Sequence, residues 1–296
     1  MSDYRSGFVA LIGRPNVGKS TLLNALLGQK LAIVTPRPQT TRHRIIGILD
    51  APEGQIAFVD TPGMHQGHER ALNRAMNRTA TSVLADCDLA LLLVEAQRWT
   101  DEDELALQRV RESGRPVICV VNKIDKVYPR ELLLPYVGQL ATRADFLAIV
   151  PVSALRAGNL DELKRTILAA LPPGERMFPQ GQITDRSDKF RIAECIREKL
   201  TLELVEELPY GIAVEVEKLE TTPDGRTEVS ALIWVDRAGQ KPIVIGAGGE
   251  RLKRIGRSAR LELNHTFGRR HHLTLFVKVR ENWADDARAL QQLELE

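Results

Sequence analysis

Residues 13–20, GRPNVGKS, fit the pattern G-x-x-x-x-G-K-[ST] and lie between an apolar run and an apolar helical stretch. Backbone N–H groups of such a loop, together with the N-terminus of the following helix, can surround a β-phosphate. Lys19 would reach the β- and γ-phosphate oxygens, and the Ser20 hydroxyl would be a ligand of Mg²⁺. The pattern predicts a nucleotide site made of Gly13, Arg14, Pro15, Asn16, Val17, Gly18, Lys19, Ser20 and Thr21.

Three further motifs, DTPG, NKID and SAL, each stand where an apolar run ends. Asp60 would hold the metal through water, and the Gly63 N–H would contact the γ-phosphate. The Asp125 carboxylate would accept hydrogen bonds from N1–H and the 2-amino group of guanine, a donor pair that adenine lacks. The SAL motif would offer a backbone N–H to guanine O6. These motifs predict GTP rather than ATP as the ligand and add Asp60, Thr61, Pro62, Gly63, Asn122, Lys123, Asp125, Ser153, Ala154 and Leu155 to the site.

A second glycine-rich stretch, VIGAGGERLKRIG at residues 244–256, runs into a series of Lys and Arg. Glu250 follows the last glycine where a nucleotide loop would have Lys-Ser or Lys-Thr, and its charge would repel a triphosphate. Between Arg237 and Arg280 there are eleven Lys and Arg against two acids, although the net charge of the chain is only +2. Positive charge beside a glycine loop that can approach a sugar-phosphate backbone is typical of RNA binding.

The predicted RNA-binding residues are Ile245, Gly246, Ala247, Gly248, Gly249, Arg251, Lys253, Arg254, Arg257, Arg269 and Arg270. In the helix predicted after the loop, Leu252, Ile255, Ala259 and Leu263 share one face, and most of the basic residues lie off it. The alternative for this segment is a structural glycine turn beside a solvated basic face.

The order of the predicted elements separates the chain into two folded parts. In residues 1–172, six β-rich runs alternate with helix-length segments, which indicates an α/β fold with a mostly parallel, doubly wound sheet. Residues 173–183 lie in a stretch rich in Pro and Gly and are predicted to be a linker. In residues 184–296 the order becomes α-β-β-α-α-β-α, which predicts a separate and smaller α+β domain.

Composition limits the class of protein. Hydrophobic residues make up 43% of the chain and charged residues 27%, which is typical of a soluble globular protein. No apolar run approaches the roughly 20 residues of a membrane span, so no transmembrane segment is predicted. The N-terminal MSDYRSG has no apolar signal region, and we therefore expect no secretory route.

The motifs GRPNVGKS, TTR, DTPG, NKID and SAL follow one another within residues 7–171. In this order they resemble the TrmE-Era branch of the translation-factor-like GTPases, which implies a P-loop GTPase domain that uses Mg²⁺ to convert GTP to GDP and phosphate. In that branch the threonine before Arg in the first switch loop completes the Mg²⁺ shell. Thr40 and Thr41 are the candidates, and we favour Thr41, which with Ser20 and Asp60 gives the expected Mg²⁺ ligands.

The expected catalytic residues are Lys19, Thr41, Gly63 and Asn16. Met64 stands where many GTPases have the Gln that orients the attacking water. Related GTPases with Asn at the position of Asn16 bind K⁺ beside the β- and γ-phosphates, so the resemblance implies that K⁺ supplies charge there. The alternative is a slow enzyme in which Met64 is an ordinary apolar residue.

Residues 243–256, IVIGAGGERLKRIG, resemble the G-x-x-G core of a KH domain. The element order α-β-β-α-α-β-α resembles the type II arrangement of that domain. The resemblance implies that the loop between two helices clamps about four nucleotides of single-stranded RNA.

A GTPase domain followed by a KH domain resembles the ribosome-assembly members of the branch. This implies a monomeric cytoplasmic switch that binds 16S ribosomal RNA near its 3′ end and assists biogenesis of the 30S subunit. It also implies peripheral contact with the cytoplasmic face of the inner membrane. The alternative is a membrane-associated or cell-cycle signalling GTPase whose C-terminal domain binds protein, for which RNA binding would depend little on salt.

Overall fold

The computed structural model describes residues 4–37, 40–60, 83–204 and 211–295. They form two compact units. Of the described residues, the first unit contains 4–32, 41–60 and 83–185, and the second contains 33–37, 40, 186–204 and 211–295.

The elements of the first unit are β1 (Arg5–Ile12), α1 (Lys19–Leu27), β2 (Ile45–Ala51), β3 (Gly54–Asp60), β4 (Leu89–Glu95), α2 (Asp101–Ser113), β5 (Val117–Asn122), α3 (Leu133–Ala141), β6 (Ala148–Pro151) and α4 (Leu160–Ala170). The strands form one six-stranded sheet in the order β2-β3-β1-β4-β5-β6. All neighbouring pairs are parallel except β2 with β3, which confirms the predicted α/β fold.

The central strand β4 shows why the sheet forms. Residues 89–94 are Leu, Ala, Leu, Leu, Leu and Val, all 0% exposed, as expected for a parallel strand covered on both faces. Leu92 packs in one cluster with Leu107 of α2 and Leu140 of α3. Helix α2 begins with a capping box formed by Thr100 and Asp103 and ends at Gly114, so its two ends are fixed by local sequence.

The parallel register brings the ends of four strands to one edge of the sheet. Asp60 at the end of β3 lies opposite Leu11 of β1. Asn122 at the end of β5 lies opposite Glu95, the last residue of β4. The phosphate-loop motif begins directly after β1, and Asp60 and Asn122, the first residues of the DTPG and NKID motifs, end β3 and β5. These residues therefore lie at one common edge, where open α/β sheets bind ligands.

Residues 173–183, predicted to be a linker, lie against strands β2 and β3. Gln55 of β3 is 0% exposed, and its side-chain oxygen accepts hydrogen bonds from Met177 N and Phe178 N at 2.9 Å. Its Nε2 donates to Phe178 O at 3.0 Å and to Asp50 Oδ1 at 2.9 Å. Ile48 N also donates to Ile183 O at 2.9 Å. The segment is therefore fixed to the first unit by buried hydrogen bonds.

The second unit contains a three-stranded sheet with the order β7-β8-β9, in which β7 and β8 are antiparallel and β8 and β9 parallel. Its core joins apolar residues of the sheet to Ile192, Ile196 and Leu200 of α5 and to Ile255 and Leu263 of α7. The elements are α5 (Asp188–Glu203), β7 (Ile212–Thr221), β8 (Thr227–Val235), α6 (Gln240–Ile245), α7 (Glu250–Phe267), β9 (His271–Val279) and α8 (Ala287–Gln292). The predicted order α-β-β-α-α-β-α is confirmed.

Across the described part of the chain, no helix combines the length and the apolar character that crossing a membrane requires.

Replacing Gln55 by Ala should lower the free energy of unfolding of the first unit by about 2 kcal/mol, because the backbone groups of Met177 and Phe178 would lose buried partners. Urea denaturation measures this change, and trypsin should cut faster after the exposed Arg176. Gln108→Ala, an exposed change in α2, is the matched control and should stay within about 0.5 kcal/mol of the original protein. Unchanged cleavage and stability in Gln55→Ala would contradict the anchoring role.

Candidate functional site

The loop between β1 and α1 has the form expected of a phosphate loop. Gly18 has φ 107°, and a Cβ at this position would lie 2.4 Å from Asn122 Nδ2. That nitrogen donates to Val17 O at 2.9 Å. Residue 18 must therefore be glycine, because Asn122 of the base-binding motif packs against the phosphate loop there. The next residue, Lys19, is the first residue of α1.

Lys19 is buried and folded across the loop. Its Nζ donates to Gly13 O at 2.7 Å and to Arg14 O at 3.1 Å. Burial lowers the pKa of Lys19, and the nearby Asp60 carboxylate opposes this shift. The two carbonyl bonds hold a cation at the N-terminus of α1, where phosphate oxygens would provide stronger, charged acceptors.

Three oxygen atoms meet beside Lys19. Ser20 Oγ donates to Asp60 Oδ2 at 2.8 Å and lies 3.0 Å from Thr41 Oγ1. Since the single O–H of Ser20 is used for Asp60, Thr41 must donate in the second bond. Hydroxyl and carboxylate oxygens are the ligands that Mg²⁺ prefers, so the set fits the metal, and the structure places Thr41 with the other two expected ligands.

The base-binding motifs meet through Asn122, which is 2% exposed. Its Oδ1 accepts from Lys123 N at 2.8 Å and from Ala154 N at 3.0 Å. Ser153 Oγ donates to Asp125 Oδ1, which orients the carboxylate that would read guanine. Asn122 thus links the NKID motif, the SAL motif and the phosphate loop.

Arg14 points away from the predicted phosphate position. Its Nη2 lies 2.5 Å from Glu95 Oε2 and its Nε 3.2 Å from Asp103 Oδ2. The backbone of Arg14 stays in the loop, where its carbonyl oxygen accepts a hydrogen bond from Lys19 Nζ. Sequence reasoning missed Glu95 and Asp103, although an acid at the end of an apolar strand between two motif-bearing strands was a usable signal.

Part of the predicted site falls outside the described residues. Thr61, Pro62 and Gly63 of the DTPG motif, and Met64 after it, belong to that part. The other predicted members surround the common sheet edge. Asn16 lies in the phosphate loop with φ 59°, and Thr21 lies in the first turn of α1.

Residues 33–37 and Thr40, which precede Thr41, belong to the second unit. Val34 N donates to Glu198 Oε1 at 2.9 Å, and Arg197 Nη2 donates to Thr40 O at 2.5 Å. Arg197 is 4% exposed and is held by both oxygens of Glu194 at 2.7 and 2.8 Å. Sequence reasoning did not find these residues, because such i,i+3 pairs usually lie on solvated helix faces.

The second glycine loop joins helices α6 and α7. Gly246 has φ 76°, and a Cβ there would lie 2.6 Å from Arg251 Cβ. By contrast, a Cβ on Gly248 would meet nothing within 4 Å. The loop precedes the N-terminus of the 18-residue helix α7, whose dipole favours anionic groups. This geometry suits a phosphate of an extended backbone.

The predicted RNA-binding cations fall into two groups. Arg251 Nη1 donates to Ile243 O at 2.6 Å and thereby ties α7 to the end of α6, and Arg269 pairs with Asp188 at 3.3 Å. The exposed group projects from α7 and the turn after it and consists of Lys253, Arg254, Arg257 and Arg270. Within this group, Lys253 pairs with Glu250 at 3.5 Å and Arg254 with Glu203 at 3.2 Å. Ile245 and the glycines 246, 248 and 249 line the loop itself, together with the exposed Ala247.

Comparisons with known proteins match both parts of the chain. A family model for a 50S ribosome-binding GTPase matches residues 8–123, and a KH domain model matches residues 207–284. The GTPase Era of Xanthomonas axonopodis pv. citri (strain 306) is 50% identical over 291 residues, which are 98% of this chain and 97% of that protein.

Two solved structures resemble the chain over nearly its full length. One is a variant of Aquifex aeolicus Era bound to GDP·AlF4⁻, with a TM-score of 0.93 and 38% identity over 98% of this chain and 99% of that one. The other is Era in complex with MgGDPNP and nucleotides 1506–1542 of 16S ribosomal RNA, with a TM-score of 0.94 and 39% identity over 99% of both chains.

Replacing Asp125 by Asn should weaken GDP binding roughly 100-fold or more, because the amide would place a donor against the guanine donors. The same change should improve binding of xanthosine diphosphate, which has an oxygen in place of the 2-amino group. Calorimetric titration with GDP and with xanthosine diphosphate measures the two affinities. Asp145→Asn, before the start of β6, is the control and should keep the preference for GDP. If Asp125→Asn instead weakened binding of GDP and of xanthosine diphosphate equally, the role of Asp125 in recognising the base would be contradicted.

Proposed function

Because the chain belongs to the GTPase Era family, we propose that it is a GTP-hydrolysing molecular switch that binds 16S ribosomal RNA near its 3′ end and assists 30S subunit biogenesis. The observation that carries the proposal is the pair of differently built glycine loops. One is enclosed around a buried lysine, and the other is open and followed by exposed cations.

The nucleotide would bind along the common sheet edge. The backbone of residues 13–21 would hold the phosphates, with Lys19 turning from its two carbonyl acceptors toward the β- and γ-oxygens. Asp125 and the SAL motif would hold guanine. Ser20, Thr41 and Asp60 would hold Mg²⁺, which neutralises charge on the phosphates. In this proposal the DTPG residues Thr61, Pro62 and Gly63 complete the γ-phosphate side.

The catalytic contribution of the chain would be mainly electrostatic. Lys19 and the Gly63 N–H would stabilise charge on the γ-phosphate oxygens, and Thr41 would hold the first switch loop closed around them. Since Thr40 is bound by Arg197, the nucleotide state would also affect the segment before Thr41. After phosphate leaves, the contacts that hold the first switch loop around the γ-phosphate would be lost, and the affinity for RNA would change as a result.

Asn16 would help to bind K⁺ beside the phosphates. Its position in the loop preceding Lys19 supports this role, since a cation there would supply charge that an arginine finger supplies in other GTPases. The remaining properties follow from family resemblance: we propose a cytoplasmic monomer with peripheral contact with the inner membrane.

GTP turnover should be roughly tenfold faster in KCl than in NaCl at equal ionic strength, because K⁺ at the proposed site would add positive charge where negative charge develops. Phosphate release under saturating GTP measures the difference. Asn16→Ala should remove most of the stimulation. Equal rates of the unchanged protein in both salts would contradict the K⁺ site and leave the other nucleotide contacts unaffected.

Gly248→Asp should weaken RNA binding roughly tenfold, because it adds a carboxylate where an RNA phosphate is expected. Gly248→Asn is the matched control: it has the same size, tolerates the φ of 57°, enters the same open space and adds no charge. The measurement is fluorescence anisotropy of an RNA with the sequence of nucleotides 1506–1542 of 16S ribosomal RNA, in GTP-analogue and GDP states.

Binding should also fall steeply as salt rises, because phosphate contacts release counterions. Equal affinity of the Asp and Asn variants would remove the loop from the RNA site. Weak RNA binding with little dependence on salt would favour the protein-binding alternative for the second unit.

A further inference from the structure

Glu95 lies between the two loops that would hold opposite ends of the nucleotide. It is the last residue of β4, and β4 pairs with β1 on one side and β5 on the other. The phosphate loop follows β1, and the NKID motif spans the end of β5. A side chain at this point can therefore reach both loops.

One carboxylate oxygen of Glu95 contacts both loops. Oε2 lies 2.5 Å from Arg14 Nη2 of the phosphate loop and 3.1 Å from Lys123 Nζ of the NKID motif. The side chains of Arg14, Glu95 and Lys123 are 8%, 17% and 23% exposed. Partial burial reduces screening by salt, so these contacts are stronger than those of a surface ion pair.

The partners of this carboxylate are themselves fixed. Arg14 Nε contacts Asp103, which is 0% exposed and is held in the capping box of α2. Glu95 O accepts from Tyr136 Oη at 3.1 Å, and Ala96 N donates to Asn122 O at 2.9 Å. Burial alone would raise the pKa of Glu95, but the hydrogen bonds from Arg14 and Lys123 lower it, so the group is a carboxylate.

Glu95 does more than provide a partner for Arg14. Arg14 is already paired with Asp103. Glu95, by contrast, is paired with both Arg14 and Lys123. Lys123 has φ 65°, a conformation that few non-glycine residues adopt, and it directly follows Asn122. The ion pair sets the direction of its side chain at the base-binding end of the site.

We propose that Glu95 is a positioning residue of the nucleotide site, which holds Lys123 and Arg14 so that the base-binding and phosphate-binding loops act as one unit. The inference rests on the proposed guanine nucleotide site and adds a residue outside its motifs. In this role Glu95 acts through Arg14 and Lys123, and its effect is on how long the nucleotide stays bound.

Glu95→Gln keeps the size of the side chain and removes its charge. Stopped-flow release of methylanthraniloyl-GDP should become roughly tenfold faster, while turnover at saturating GTP should change less than twofold. Glu162→Gln, an exposed residue of α4 paired with Arg165, is the matched control and should release at the original rate. If Glu95→Gln does not fold, Glu95→Asp, which keeps the charge on a shorter stem, should still release faster than the original protein.

A double-substitution cycle separates positioning from a structural role. If Glu95 acts through Lys123, the combined effect of Glu95→Gln and Lys123→Met on release should be smaller than the product of the two single effects. A combined effect equal to that product, or an unchanged release rate in Glu95→Gln and Glu95→Asp, would overturn the inference. Failure of the unchanged protein to bind methylanthraniloyl-GDP would instead contradict the proposed function.

Discussion

Parallel pairing of four strands is the constraint on which the nucleotide site depends. With β3 beside β1 and β5 beside β4, Asp60 lies opposite Leu11 and Asn122 opposite Glu95. Parallel strands end at one edge of a sheet, so loops distant in sequence must meet there. A shift of one residue in this register would turn the side chains of a whole strand to its other face.

The two glycine loops differ in their surroundings in the same way as the anions that we propose for them. Around the first loop, Asn122 closes on Gly18 and Lys19 is buried, which suits a small ligand enclosed away from water. Around the second, Gly248 faces open space and exposed cations follow along α7. An open loop with cations beside it can follow a polymer whose phosphates repeat along a chain.

Most strands could be predicted because buried parallel strands are continuous apolar runs. The apolar run of residues 89–94 coincides with β4, found at Leu89–Glu95. β3 begins at Gly54, two residues before the apolar run of residues 56–59, because the polar Gln55 interrupts the apolar pattern. Gln55 is nevertheless fully buried, since its amide is satisfied by Asp50 and by a segment more than a hundred residues away. Such a partner leaves no local pattern.

The sequence by itself indicated the chemistry proposed for both sites, because glycine spacing, a following Lys-Ser or a run of cations specifies backbone shape and charge locally. It also determined the order of the elements. Only the tertiary structure decided that Arg14 turns to Glu95 and Asp103, which are 81 and 89 residues away. The choice among distant acids depends on which strands are neighbours in the sheet, and that neighbourhood exists only after the chain has folded.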